Sequence, residues 1–186
     1  MILKFHCFDI FYLLALNMKK IVIIFLFSLI FLSNSIAGCD DPLTEGVDYS
    51  NCRFSDSQDL QGSYLPNSNL SFASFIQVNF DKSIMMNSNL SFGTFPESTF
   101  VRANLYETVS IGANFEKTNF TSANLTRANF QGASLIEANF KDSNLLEANF
   151  TAANIINASF EGSNLNNATW VDGNKCGLGS IGECKK

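Results

Sequence analysis

Large apolar residues recur every five positions along most of this chain. The series opens Leu60, Leu65, Leu70, Phe75, Phe80 and closes Phe160, Leu165, Trp170. Of its 23 members only Ser110 is not large and apolar. A period of five matches neither the 3.6-residue repeat of a helix nor the two-residue alternation of a strand, so it predicts a short-repeat solenoid. The position two before each large residue is Ala, Ser, Gly, Thr or Val in every unit except the first, where it is Gln58. A small and a large side chain pointing into the same interior fill a narrow core without voids. The residue between them is mostly Asn. Its amide points outward, where it can bond the neighbouring backbone or an Asn one coil away.

The spacing of like residues predicts the coil. At a step of twenty, Leu60, Phe80, Phe100, Phe120, Phe140 and Phe160 form one column, and Leu65, Met85, Leu105, Leu125, Leu145 and Leu165 the next. At a step of fifteen, aromatic and aliphatic residues mix. Asn67-Ser68-Asn69-Leu70-Ser71-Phe72 also recurs unchanged twenty residues on, as Asn87 to Phe92. Four units therefore make one coil. Copies such as Ala103-Asn104-Leu105, Ala128-Asn129-Phe130 and Ala148-Asn149-Phe150 resemble the pentapeptide-repeat family, with its small, Asn or Asp, Leu or Phe pattern, over residues 58–172. The resemblance implies an all-β fold, a right-handed quadrilateral parallel β-helix. With four pentapeptides per coil there are nearly six coils, about 28 Å of stacked rungs at strand spacing.

One unit departs from the pattern. Thr108-Val109-Ser110-Ile111 places a hydroxyl where the column expects Leu or Phe. This predicts a local bulge with Val109 or Ile111 turned inward, or a small gap. A kink that shapes a binding face is the functional alternative.

The ends carry different signals. Met18-Lys19-Lys20, an apolar run from Ile21 to Leu32, and Ser35-Ile36-Ala37 read as a secretory signal cleaved before Gly38, with residues 1–17 as an over-long start. A membrane anchor over 21–32 is the weaker alternative, because twelve apolar residues are short for a bilayer. Residues 38–57 form an N-terminal cap, 58–172 the repeat and 173–186 a C-terminal cap. Cys39 and Cys52 flank one end of the repeat, and Cys176 and Cys184 the other. After a signal peptide, two close pairs read as two disulfide staples. Gly46-Val47-Asp48-Tyr49 before Cys52, and Trp170 to Gly173 before Cys176, resemble the caps of exported pentapeptide-repeat proteins. Ile36-Ala37-Gly38-Cys39 also resembles a bacterial lipobox, which makes Cys39 a candidate lipidation site. Disulfide and lipid compete for that sulfur.

Candidate chemistry is sparse. The only histidine, His6, lies in the segment to be removed. Without it the mature chain has no Ser-His-Asp or Cys-His nucleophile and no His-based metal site. No phosphate-binding glycine loop opens a helix. Glu116, Glu137, Asp142, Glu147 and Glu161 occupy outward positions and read as a solvated face rather than paired catalytic carboxylates. No enzyme activity, cofactor or metal is expected. From Cys39 onward nine Lys or Arg face sixteen Asp or Glu, a net charge of −7. Such acidity disfavours nucleic acid as a partner.

The leading expectation is an exported, non-catalytic interaction or structural surface in the bacterial envelope, periplasmic or extracellular, with an unidentified protein partner. Contact with membrane would come only through a signal segment or a lipid anchor. The alternative is a DNA-mimicking, topoisomerase-binding protein, should the N-terminus not be a signal. Phe72 and Phe92, one coil apart at a corner, together with Ile76, form a candidate patch for a partner or for a homodimer. The bland alternative is that the two rings fold over the backbone and cover the turn.

Overall fold

The structure is a computed structural model, and it describes residues 39–54 and 56–186. The signal segment and the residues before Cys39 in the lipobox lie outside the described residues.

From Asp59↔Asn79 to Asn149↔Thr169, parallel bridges join residues twenty apart. Each bridge is a single residue at the outward position before a large apolar centre. A turn follows every centre, so the faces never lengthen into regular strands among the described residues. The pairing is nevertheless continuous. Leu70 N–H donates to the Asn89 carbonyl at 2.7 Å, and Asn89 N–H donates back to Ser68 at 2.9 Å. Backbone groups are thus satisfied from neighbour to neighbour, as a narrow solenoid requires.

The centres fill the interior and stack in register. Phe80, Phe100, Phe120, Phe140 and Phe160 lie face to face with ring centroids 4.9–5.2 Å apart. Phe75, Phe95 and Phe115 form a second such stack. The two columns meet edge to face, as at Phe115 and Phe120, 5.3 Å apart. Offset and edge contacts of this kind add to the burial of the rings. The small residues two before the centres, such as Ala103 and Ala123, are buried beside them.

The ladder begins earlier than the five-residue frame predicts. Asp48↔Asn69 and Arg53↔Ser74 pair at a step of twenty-one, and Tyr49 and Phe54 are buried centres. Phe54 stacks on Phe75 at 4.2 Å. One extra residue between Arg53 and Asp59 breaks the frame, so residues 48–54 belong to the ladder rather than to the cap. The other end folds back: Thr169↔Lys175 and Asn164↔Ile181 pair antiparallel, and residues 175–181 cover part of the last rung.

Val109 and Ile111 do not turn inward. Ser110 stays in the interior at 1% exposure, and Val109 is exposed. Ser110 N–H still donates to Asn129 and Val109 N–H to Ser88, so no bulge interrupts the pairing. The ladder holds the backbone in frame, and the side chains accept an inverted polarity.

Candidate interaction surface

Most corners close with the same turn. The carbonyl of a centre accepts a bond from the N–H three residues on, as Leu90 does from Gly93 at 3.1 Å; after Leu65 and Phe75 the hydroxyls of Ser88 and Ser98 bridge the two groups instead. The second residue after the centre has φ near 58°, including Phe72 at 59° and Phe92 at 58°. A type II turn asks for Gly or Asn there, and a side chain in this region costs about 1–2 kcal/mol. The bond that nearly all of these residues donate to the next rung offsets the strain, as Phe92 N–H does to Ile111 at 2.9 Å. The Asn before the centre finishes the corner. Asn124 Oδ1 accepts from Thr126 N–H at 3.3 Å while Asn124 Nδ2 donates to Asn104 Oδ1 at 3.1 Å. This is the double role that the sequence suggests for Asn.

With backbone and interior fixed, chemistry is left to the outward residues. On one corner Arg127 lies between Glu107 at 3.1 Å and Glu147 at 2.8 Å. The Tyr106 hydroxyl and then Arg127 hold the Glu107 carboxyl below the usual range, and the two glutamates raise the Arg127 guanidinium. On another, Lys141 bonds Glu161 at 2.9 Å, which raises the Lys141 ammonium. At the C-terminal end Lys186 bonds Asp172 and lowers its carboxyl to about 2.

The corner of Phe72 and Phe92 differs. The two side chains are 58% and 53% exposed and their rings stack 5.1 Å apart. Phe92 lies over Gly112, where an added Cβ would come within 2.8 Å of the ring. The rings therefore both cover the turn and remain open to a partner. Ile76 sits at the following corner and is half-buried.

At the ends, Cys39 is bonded to Cys52 and Cys176 to Cys184. A sulfur in a disulfide cannot also carry a thioether-linked lipid, so this form of Cys39 excludes the lipidated one. Cys39, Leu43, Tyr49 and Phe54 line an open cavity of about 330 Å3 with Asp40, Asp41 and Gln58. Burial, then Asp41, raises the Tyr49 hydroxyl. No group of three or more His, Cys, Asp or Glu among the described residues is placed to hold a metal ion.

The family model for pentapeptide repeats matches eight copies, over residues 59–91, 98–142 and 133–169. The chain belongs to the pentapeptide-repeat family. Among solved pentapeptide-repeat and related structures, it is similar to a trypsin-treated variant of QnrB1, a plasmid-mediated fluoroquinolone resistance protein. Identity is 22% and the TM-score 0.63, over 67% of this chain and 65% of that one. A pentapeptide repeat protein of the Arabidopsis thaliana thylakoid lumen is 30% identical over 48% of this chain and 59% of its own, with a TM-score of 0.38. The match to QnrB1 thus spans less than two thirds of that protein, and it speaks to the fold alone. No curated protein sequence matched.

Proposed function

We propose that this pentapeptide-repeat protein is an exported, non-catalytic scaffold that presents a protein-interaction surface in the bacterial envelope. Its solenoid is read as a right-handed quadrilateral β-helix with four pentapeptides per coil and nearly six coils, extended by the units at Tyr49 and Phe54. The observation that carries export is the pair of disulfides, one at each end of the ladder. Such bonds persist in oxidising compartments and not in a reducing cytoplasm. The signal-like residues 18–37 agree with it. The interior offers no room for chemistry, because stacked rings and small residues fill it.

The topoisomerase-binding alternative draws on the net charge of −7 from Cys39 onward and on the fold shared with QnrB1. Mimicry of DNA calls for a continuous run of negative charge. Here Arg127 and Lys141 interrupt the run of Glu107, Glu147 and Glu161, and one corner carries no charge from Phe72 to Ala152. The scaffold reading is therefore preferred.

Mass spectrometry of the protein from its native host tests it. The scaffold reading expects a mature N-terminus near Gly38 with two intact disulfides. A diacylglycerol on Cys39 would move the protein to a membrane anchor. An uncleaved, reduced chain would overturn export.

A further inference from the structure

The uncharged corner has a pattern of its own. From Asn69 to Asn154, every outward residue on this corner and on the two positions that flank it is Asn, Gln, Ser, Thr, Gly, Ala, Val, Ile or Phe. Within these rungs the other three corners hold the charges, which sum to net negative; the first charge on this corner is Asp172, one rung below Ala152 and paired with Lys186. Down the corner itself the order is Phe72, Phe92, Gly112, Gly132, Ala152. Two large rings lie above Gly112 and two nearly bare positions lie below it. Nothing comes within 4 Å of where a Cβ on Gly132 would sit, so no side chain of this copy covers the corner there. At the middle of the strip stands the unit whose polarity is inside out. Ser110 is buried, while Val109 is 37% exposed and Ile111 half-buried. In a lone chain that inversion loses an apolar centre and gains nothing.

These observations point to one occupant. We propose that a second copy of this chain packs antiparallel against this strip, with a two-fold axis level with Gly112. The proposal rests on the scaffold reading and names its partner. In that arrangement Phe72 and Phe92 of one copy lie over Ala152 and Gly132 of the other, and Val109 meets its own counterpart. A two-fold interface must be complementary to itself. A bulky half above the axis and a bare half below it meet that condition, whereas a parallel pair would set ring against ring. Charge selects the same side. Two copies of like net charge repel wherever charged corners meet, and this strip alone sets neutral surface against neutral surface. Five rungs at about 4.8 Å give a strip about 24 Å long. One corner of that length falls short of the roughly 800 Å2 per partner of a standard interface, so the dimer is weak and concentration-dependent.

Single cysteines introduced into the oxidised protein, joined by a short thiol-to-thiol cross-linker, test the geometry. Thr94→Cys and Ser134→Cys lie one rung above and one below the axis, and Asn114→Cys lies level with it. The Asn114 variant should cross-link alone. The other two should cross-link only when mixed. Changing Phe72 and Phe92 together to Ser should weaken the association by about tenfold or more in analytical ultracentrifugation, with the melting curve confirming a folded chain. Efficient self-linking of the Thr94 variant would overturn the antiparallel arrangement. A wild-type protein that stays monomeric up to about 1 mM, a Kd range that still covers weak contacts, would overturn the dimer. If such a monomer still captured another protein through Phe72 and Phe92, the scaffold reading would stand and only the self-pairing would fall.

Discussion

At the corner of Arg127, φ is 58°, the N–H donates to Leu146 at 2.9 Å, and the turn closes from Ala128 to Leu125 at 3.0 Å. At the corner of Phe92, φ is again 58°, the N–H donates to Ile111 at 2.9 Å, and the turn closes from Gly93 to Leu90 at 3.1 Å. The backbones match, yet one corner carries a guanidinium between two carboxylates and the other a pair of stacked rings. Interior stacking and the ladder hold the turn whatever side chain it displays. The exterior is free to vary, and the differences between corners are where recognition can be encoded.

If that division holds, an interior change should damage every corner at once. Phe120 stacks between Phe100 and Phe140 at 5.2 and 5.0 Å. Truncation of a buried Phe leaves a cavity and costs about 3–5 kcal/mol. Phe120→Ala should therefore lower the urea midpoint strongly. Thr121→Ala, whose hydroxyl bonds only the outward Asn119 and Asn139, should hardly move it. Equal losses from the two variants would break the distinction between interior and exterior.

The ends come next in size. Each disulfide closes a short loop, and its removal should cost about 2–3 kcal/mol. Reductant should lower the melting temperature, and Cys176→Ser with Cys184→Ser should reproduce the part that belongs to the C-terminal cap. No change on reduction would mean that the ladder holds its ends without staples.

The repeat made the interior easy to read, because burial alone selects the residue at every fifth position. Phe80 to Phe160 were legible as a stack from spacing alone. Tyr49 and Phe54 were not, because one extra residue before Asp59 puts Phe54 and Leu60 six apart and hides both units from a five-residue frame. Ser110 misled in a different way. Hydrophobicity predicts that Val109 or Ile111 should take its place inside, but the ladder bonds of Val109 and Ser110 resist a shift of register. The candidate surface was only half legible. Phe72 and Phe92 repeat in sequence, whereas the bare stretch at Gly132 and Ala152 below them shows itself only once the corners are aligned.

A smaller effect tests how strictly the interior is tuned. The Ser83 hydroxyl is buried with no hydrogen-bond partner, and Ala103 fills the corresponding position one rung on. A buried unpaired hydroxyl carries an uncompensated desolvation cost. Ser83→Ala should raise stability by about 1 kcal/mol and leave both corners unchanged. A loss of stability would show that the hydroxyl is satisfied in solution.

The smallest effect belongs to the charged corner itself. Arg127, Glu107 and Glu147 are all substantially open to water, and exposed ion pairs contribute little because solvent and salt screen them. Arg127→Gln should leave the melting temperature almost where it was, but it should be visible in a titration. The Tyr106 hydroxyl and Arg127 together lower the Glu107 carboxyl in the folded chain. A depressed carboxylate contributes stability that is present above its unfolded pKa and is lost as pH falls through its folded pKa. In the Arg127 variant the Glu107 resonance should titrate at a higher pH than in the wild type, while still feeling Tyr106. Any difference in stability between the two proteins should shrink as the solution is acidified through the carboxylate range. An unmoved Glu107 titration would mean that the guanidinium does not rest between the carboxylates in solution. The charged corner would then be as loosely specified as the backbone comparison with Phe92 allows.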